Sequence, residues 1–244
     1  MSHVIKHETC PRCAANGRDR TGDNLAIYDD GGSYCFSCGY FQSARGFQSI
    51  SREATGTAKT LTIPYDCTDR IPDVGREFLA RYSIGEYDLA LNNILWSEKY
   101  QRLVFPIIVE GELLAWQGRY LGTEPKKAKW FTQGEIDKIT YILGNPYMED
   151  LILVEDILSA IKISTTGIHR AMPIFGSHIS AKRLLTIKRF CGMEITIWLD
   201  RDKAKEAVGF AYLARNLGLK ARTVITEKDP KEYSKQEIIE ILDK

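Results

Sequence analysis

Apolar and polar positions change rhythm along the chain, and the change divides it. In the second half, short apolar runs alternate with longer amphipathic stretches. Leu151 to Glu155, Ala171 to Phe175, Glu194 to Asp200 and Ala221 to Ile225 read as buried strands, rich in β-branched and aromatic residues. Ile157 to Ser164, Ser180 to Phe190 and Lys203 to Leu217 carry helical spacing between them, and Gly176-Ser177 marks a turn. Such alternation predicts a mostly parallel sheet covered by helices. Earlier, Leu103 to Val109 and Glu112 to Tyr120 flank Glu110-Gly111, which predicts a β-hairpin, and Val74 to Tyr82 predicts an amphipathic helix. Ser234 to Lys244 reads as a short terminal helix. Residues 43–59 show little apolar periodicity and much Ser, Gly, Thr and charge, the signature of a flexible linker. Ahead of it, Asn24 to Tyr28 and Ser33-Tyr34 are strand-like pieces about an Asp30-Gly31-Gly32 turn. The expected organisation is α/β, with a small β module at 1–42, a linker at 43–60, a basic α/β region at 61–149, a strand–helix unit at 150–230 and a tail at 231–244.

Composition narrows the class. The 244 residues are 44% hydrophobic, ordinary for a soluble globular chain, and no apolar run approaches the roughly 20 residues that span a membrane. The N-terminus lacks a signal-peptide apolar core, so a cytoplasmic protein with reduced thiols is expected. A net charge of +1 decides nothing about nucleic acid, which local patches must carry. Six cysteines in a reducing compartment suggest metal rather than disulfides. Cys10-x-x-Cys13 and Cys35-x-x-Cys38 have the spacing of a four-cysteine zinc ribbon, the hairpin between them bringing the knuckles together. Cys67 and Cys191 stand apart as packed or partly exposed thiols. No G-x-x-x-x-G-K-[ST] occurs, so this polypeptide carries no P-loop motor.

The candidate chemistry lies where apolar runs meet acid. The run ending at Leu199 meets Asp200 and Asp202, whose carboxylates share a side if the chain stays extended. Two such carboxylates repel unless they are solvated or neutralised by a cation, for which magnesium is the hard-oxygen choice. The plain alternative is a solvated strand end capping the next helix. The run ending at Val154 meets Glu155 and Asp156, and the fourth strand is followed by Asp229. Acids at the carboxyl ends of parallel strands fall into the crevice where open α/β sheets bind ligands. Lys126, Lys127 and Lys129 precede Trp130 and Phe131, a pattern that suits phosphate and base contact or, equally, a polar loop beside core aromatics.

Four parts thus follow in fixed order: cysteine ribbon, linker, basic α/β region, and an α/β unit carrying Glu155, Asp200 and Asp202. This order resembles the phage-type DNA primases, the primase half of phage primase–helicases. The last unit is similar to a TOPRIM domain: Val154-Glu155 matches its strand-end glutamate, Leu199-Asp200-Arg201-Asp202 its D-x-D, and Lys228-Asp229 its third acidic motif. Where that family places glycine after the glutamate, this chain has Asp156; where it often has a further acid, this chain has Ser159. The resemblance implies an RNA-polymerase region that joins NTPs on a single-stranded DNA template, beside a separate replicative helicase. It implies catalytic magnesium, one ion or two, on Glu155, Asp200 and Asp202, with Asp156 and Asp229 as further candidates. Arg119, Lys126, Lys127 and Lys129 would bind triphosphate or template phosphate. The structural zinc on Cys10, Cys13, Cys35 and Cys38 would hold a template-reading surface of Asn24, Asp30, Ser33 and Tyr34. Two other classes stay open: a zinc/TOPRIM recombination mediator that binds DNA without catalysis, and a metal-dependent nuclease.

Overall fold

The computed structural model describes the chain except for residues 1–3, 16, 18, 20, 30–32, 36, 38–40, 43–60, 177, 192–193 and 244. The expected linker, the Asp30-Gly31-Gly32 turn and Cys38 therefore lie outside the described residues. The chain forms two compact units, Met1–Lys59 and Thr60–Lys244. Among the described residues, no helix is long and apolar enough to cross a membrane.

The first unit is a four-stranded sheet in the order β1-β2-β3-β4, from β1 (Val4–Glu8), β2 (Leu25–Tyr28), β3 (Ser33–Cys35) and β4 (Phe41–Gln42), with the short helix α1 (Pro11–Ala15) after β1. β2 and β3 pair antiparallel, Leu25 opposite Cys35 and Ile27 opposite Ser33, which is the expected hairpin. β1 adds an edge strand on β2, and its residues are all exposed, so no apolar alternation announced it. Leu25, Cys10, Cys13 and Cys35 make the small core.

The second unit is built on two five-stranded sheets. One runs β5-β6-β7-β8-β9, antiparallel throughout, from β5 (Cys67–Thr68), β6 (Leu95–Ser97), β7 (Arg102–Val109), β8 (Glu112–Tyr120) and β9 (Trp130–Gly134). The β7–β8 hairpin turns at Glu110 and Gly111, both with positive φ (54° and 83°), the left-handed conformation that glycine adopts freely. Leu103, Phe105, Ile107 and Ala115 face the core with α2 (Asp73–Ala80) and α3 (Glu86–Leu91).

The other sheet runs β10-β12-β11-β13-β14, from β10 (Leu143–Gly144), β11 (Leu151–Val154), β12 (Arg170–Pro173), β13 (Glu194–Ile197) and β14 (Lys220–Thr223). All neighbours are parallel except β10, an antiparallel edge. β11 is buried on both faces: Leu151 and Leu153 pack with α5 (Ala181–Cys191) and α6 (Ala204–Asn216), while Ile152 and Val154 pack with α4 (Ile157–Ser164) and α7 (Lys235–Leu242). From β11 the chain goes through α4 to β12 on one side, then crosses back through α5 to β13 on the other. The carboxyl ends of β11 and β13 thus lie side by side where the strand order reverses, the position at which open α/β sheets form a crevice.

Candidate active site and metal centre

The acidic crevice grows from those two strand ends. β11 stops at Val154 because Asp156 caps α4, its Oδ1 accepting the Ser159 N–H at 2.8 Å. β13 stops at Ile197, three residues before the expected end, although the Trp198 N–H still donates to the Leu153 carbonyl at 2.9 Å. The chain then turns into a short 3-10 helix, Arg201–Lys203, with Asp200 as its N-cap residue. This overturns the premise that the D-x-D stays extended. The Asp200 side chain is only 17% exposed and Asp202 is 75% exposed, so the two carboxylates occupy different environments. Asp202 pairs with Lys203 at 3.4 Å.

A residue that sequence reasoning missed stands among these acids. Lys231 Nζ lies 2.7 Å from Asp156 Oδ2, 2.9 Å from Asp200 Oδ2 and 3.1 Å from Asp229 Oδ2, and its side chain is 13% exposed. The three carboxylates come from the segments that follow β11, β13 and β14, and only the fold brings them together. Asp229 also accepts the Arg201 N–H at 3.4 Å and joins a capping box with Glu232. Glu155 Oε2 and Asp200 Oδ1 are buried with no hydrogen-bond partner among the described residues.

The electrostatics follow the geometry. Burial, then the carboxylates of Asp202 and Asp156, hold the Glu155 carboxyl above its ordinary range. Burial, then Asp156, pushes Asp200 up to about 7, against the pull of Lys231. Burial works to raise Asp229 as well, but Lys231 outweighs it and the pKa is lowered. Burial works to lower Lys231, but Asp156 and Asp200 outweigh it and the ammonium is held firmly protonated. On the Glu155 side the Lys203 ammonium, which meets Asp202 at 3.4 Å, and Lys231 act against that rise without cancelling it. Hard, orphaned oxygens of this kind fit a hard divalent ion.

In the first unit, Cys13 Sγ and Cys35 Sγ are 3.7 Å apart, and Cys10 Sγ accepts the Cys13 N–H at 3.5 Å. Among the described residues, Cys10, Cys13 and Cys35 are the only trio of candidate ligands whose donor atoms all lie within 4.8 Å of one another. The acids make no such trio. Three buried thiols with converging sulfurs suit a soft tetrahedral ion such as zinc. Asp19 braces the knuckle, accepting the N–H groups of Cys10 (2.6 Å) and Gly22 (2.9 Å). An open cleft of about 410 Å³ beside it is lined by His7, Asp23, Asn24 and Ser37. Of the expected template readers, Asn24 thus lines a cleft, Ser33 is buried, Tyr34 lies on β3 and Asp30 is outside the described residues.

The expected phosphate binders lie on β8 and the loop that leaves it. Arg119 is half-buried between the rings of Phe78 (5.1 Å) and Trp130 (5.4 Å), its Nε buried without a partner among the described residues. Lys126 and Lys129 are exposed. Lys127 pairs with Glu124 at 2.8 Å and lies over the Tyr120 ring. Sequence reasoning missed Arg102, which stacks on Tyr120 and donates to the Ala128 carbonyl at 2.9 Å, pinning the lysine loop.

No family model matches the chain. The zinc-binding and RNA polymerase domains of the Aquifex aeolicus primase superpose with a TM-score of 0.61 at 13% identity, covering 100% of this chain and 80% of that one. This is a primase fold. The primase fragment of the bacteriophage T7 primase-helicase protein shares it, with a TM-score of 0.53 at 13% identity over 99% of this chain and 98% of that chain. In sequence, a DNA primase of Staphylococcus aureus (strain MW2) is 22% identical over 206 residues, covering 78% of this chain and 33% of that protein. The chain spans about a third of the length of the curated primases it matches.

Proposed function

We propose that this chain is a DNA primase that synthesises short RNA primers from NTPs on a single-stranded DNA template. The observation that carries the reading is the pair of buried, unpartnered carboxylate oxygens on Glu155 and Asp200, at the reversal of strand order in a primase fold. Glu155, Asp200 and Asp202 would hold magnesium, which when bound neutralises charge on the reacting α-phosphate and the leaving pyrophosphate. Arg119, Lys126, Lys127 and Lys129 would neutralise triphosphate or template phosphate, the lysines as point charges and Arg119 through its planar fork. The cysteine unit would read template rather than react, because four thiolates on zinc leave no open coordination position. Asn24, which lines a cleft, would read base edges together with Asp30, Ser33 and Tyr34. A separate replicative helicase and a host cytoplasmic setting complete the reading.

The test is RNA synthesis from labelled NTPs on mixed single-stranded DNA with magnesium, comparing wild type with Asp200→Ala. Short template-dependent RNA from wild type, reduced by about 100-fold or more in the variant while single-strand binding persists, is the expected outcome. Equal synthesis by both would remove the acids from the chemistry. DNA cleavage in place of synthesis would move the chain to the nucleases. Binding without synthesis, with a helicase added, would leave a DNA-binding protein.

A further inference from the structure

The acidic crevice contains five carboxylates, Glu155, Asp156, Asp200, Asp202 and Asp229, yet it is not uniformly open to a metal. On one side, Asp156 Oδ2, Asp200 Oδ2 and Asp229 Oδ2 all converge within 3.1 Å on the single ammonium of Lys231. Asp156 and Asp229 have further duties there, as caps of α4 and of the turn after β14. On the other side, Glu155 Oε2 and Asp200 Oδ1 are buried and without partners among the described residues. Asp200 spans the two sides, one oxygen on the ammonium and one unclaimed.

We propose that Lys231 is a resident cation that fills one of two cation positions in this crevice, so that the site takes a single divalent ion, on the Glu155 and Asp200 Oδ1 side. The inference rests on reading those acids as metal-binding. Crevices that hold two divalent ions keep them roughly 3.5–4 Å apart, close enough for one carboxylate to face both. Here the bridging position is taken by Asp200, with an ammonium on one arm. A fixed ammonium supplies one positive charge with no demand for octahedral geometry, and it cannot be removed by chelation or dilution. Lys231 is therefore a positioning residue: it fixes the direction of the Asp200 carboxylate and withdraws Asp156 and Asp229 from the ligand set.

The experiment is equilibrium titration of the zinc-loaded full chain with Mn²⁺, reading free Mn²⁺ by its electron paramagnetic resonance signal. Wild type should bind one Mn²⁺ per chain, weakened tenfold or more by Asp200→Asn. Lys231→Met, which empties the ammonium position and leaves Asp156 and Asp229 unpaired, should bind two. Two Mn²⁺ on wild type, both weakened by Asp200→Asn, would overturn the proposal while leaving the metal reading intact. One Mn²⁺ of unchanged affinity on folded Lys231→Met would do the same. Should Lys231→Met not fold, the wild-type stoichiometry decides alone, one ion supporting the proposal and two refuting it. Binding that ignores Asp200→Asn, or no binding at millimolar Mn²⁺, would overturn the metal reading and the proposal with it.

Discussion

Replacing Asp156 by asparagine and by alanine separates two things that one carboxylate does. Its Oδ1 accepts the Ser159 N–H at 2.8 Å and its Oδ2 meets Lys231 at 2.7 Å. Both replacements remove the charge and leave Lys231 two carboxylates, although an asparagine whose oxygen keeps the Ser159 N–H turns its Nδ2 toward the ammonium, which offsets part of its advantage over alanine. Only alanine also removes the acceptor that caps α4, since asparagine caps a helix about as well as aspartate. Ser159 is fully buried, so water cannot replace the cap, and the exposed-cap figure of about 1 kcal/mol rises to about 2 kcal/mol for an unsatisfied buried donor. In a unit of this size that corresponds to a melting temperature about 4–8 °C lower for Asp156→Ala than for Asp156→Asn. All the tryptophans, Trp96, Trp116, Trp130 and Trp198, lie in the second unit, so tryptophan fluorescence on heating reports that unit alone. Equal melting of the two variants would show that Asp156 does not cap the helix.

Two further outcomes follow from the same unit. Gly144, in β10, has φ +106°, and a Cβ there would meet the carbonyl of His169, the residue just before β12, so Gly144→Ala should destabilise by about 3 kcal/mol or more, and an unchanged melting temperature would refute this. Burial, with a smaller contribution from Asp66, pushes the Cys67 thiol from its ordinary 9.0 up to about 11. The folded state therefore holds this proton more tightly than the unfolded one: the associated stability is fully present below pH 9 and is lost as pH rises through about 11. Iodoacetamide labelling of Cys67, followed by peptide mass spectrometry, should be slow at pH 8 and rise about tenfold per pH unit toward pH 10. Rapid labelling at pH 8 would contradict the buried environment.

Local patterns were legible in the sequence. The β7–β8 hairpin is marked by Glu110-Gly111, the cysteine knuckles by their spacing, and β11, β12 and β13 by their apolar runs. What escaped was set by distant parts of the chain. Lys231 is 75 residues from Asp156 and 31 from Asp200, and a lysine in a polar loop gives no sign that three strand ends will surround it. The end of β13 was misplaced because Trp198 and Leu199 are as apolar as the strand before them, while the turn at Asp200 is closed by the Lys203 N–H on the Asp200 carbonyl at 2.8 Å, with Asp229 accepting the Arg201 N–H. β10 is only Leu143–Gly144 and is held by pairing with β12, without a periodic pattern of its own.

α4 has a consequence in mechanical terms. Ile157, Leu158 and Ile161 belong to the core beneath the antiparallel sheet, and Ala160 and Ile163 to the core beneath the parallel one. Lys162, also buried, donates to the Tyr82 carbonyl at 2.9 Å. The helix is a beam clamped along both sides, and Asp156 is its tip. A side chain lost from the core beneath the antiparallel sheet removes support from the helix whose first turn Asp156 caps. The stiffness that holds Asp156 in place is therefore shared by both sheets, because each contributes side chains to the packing of α4.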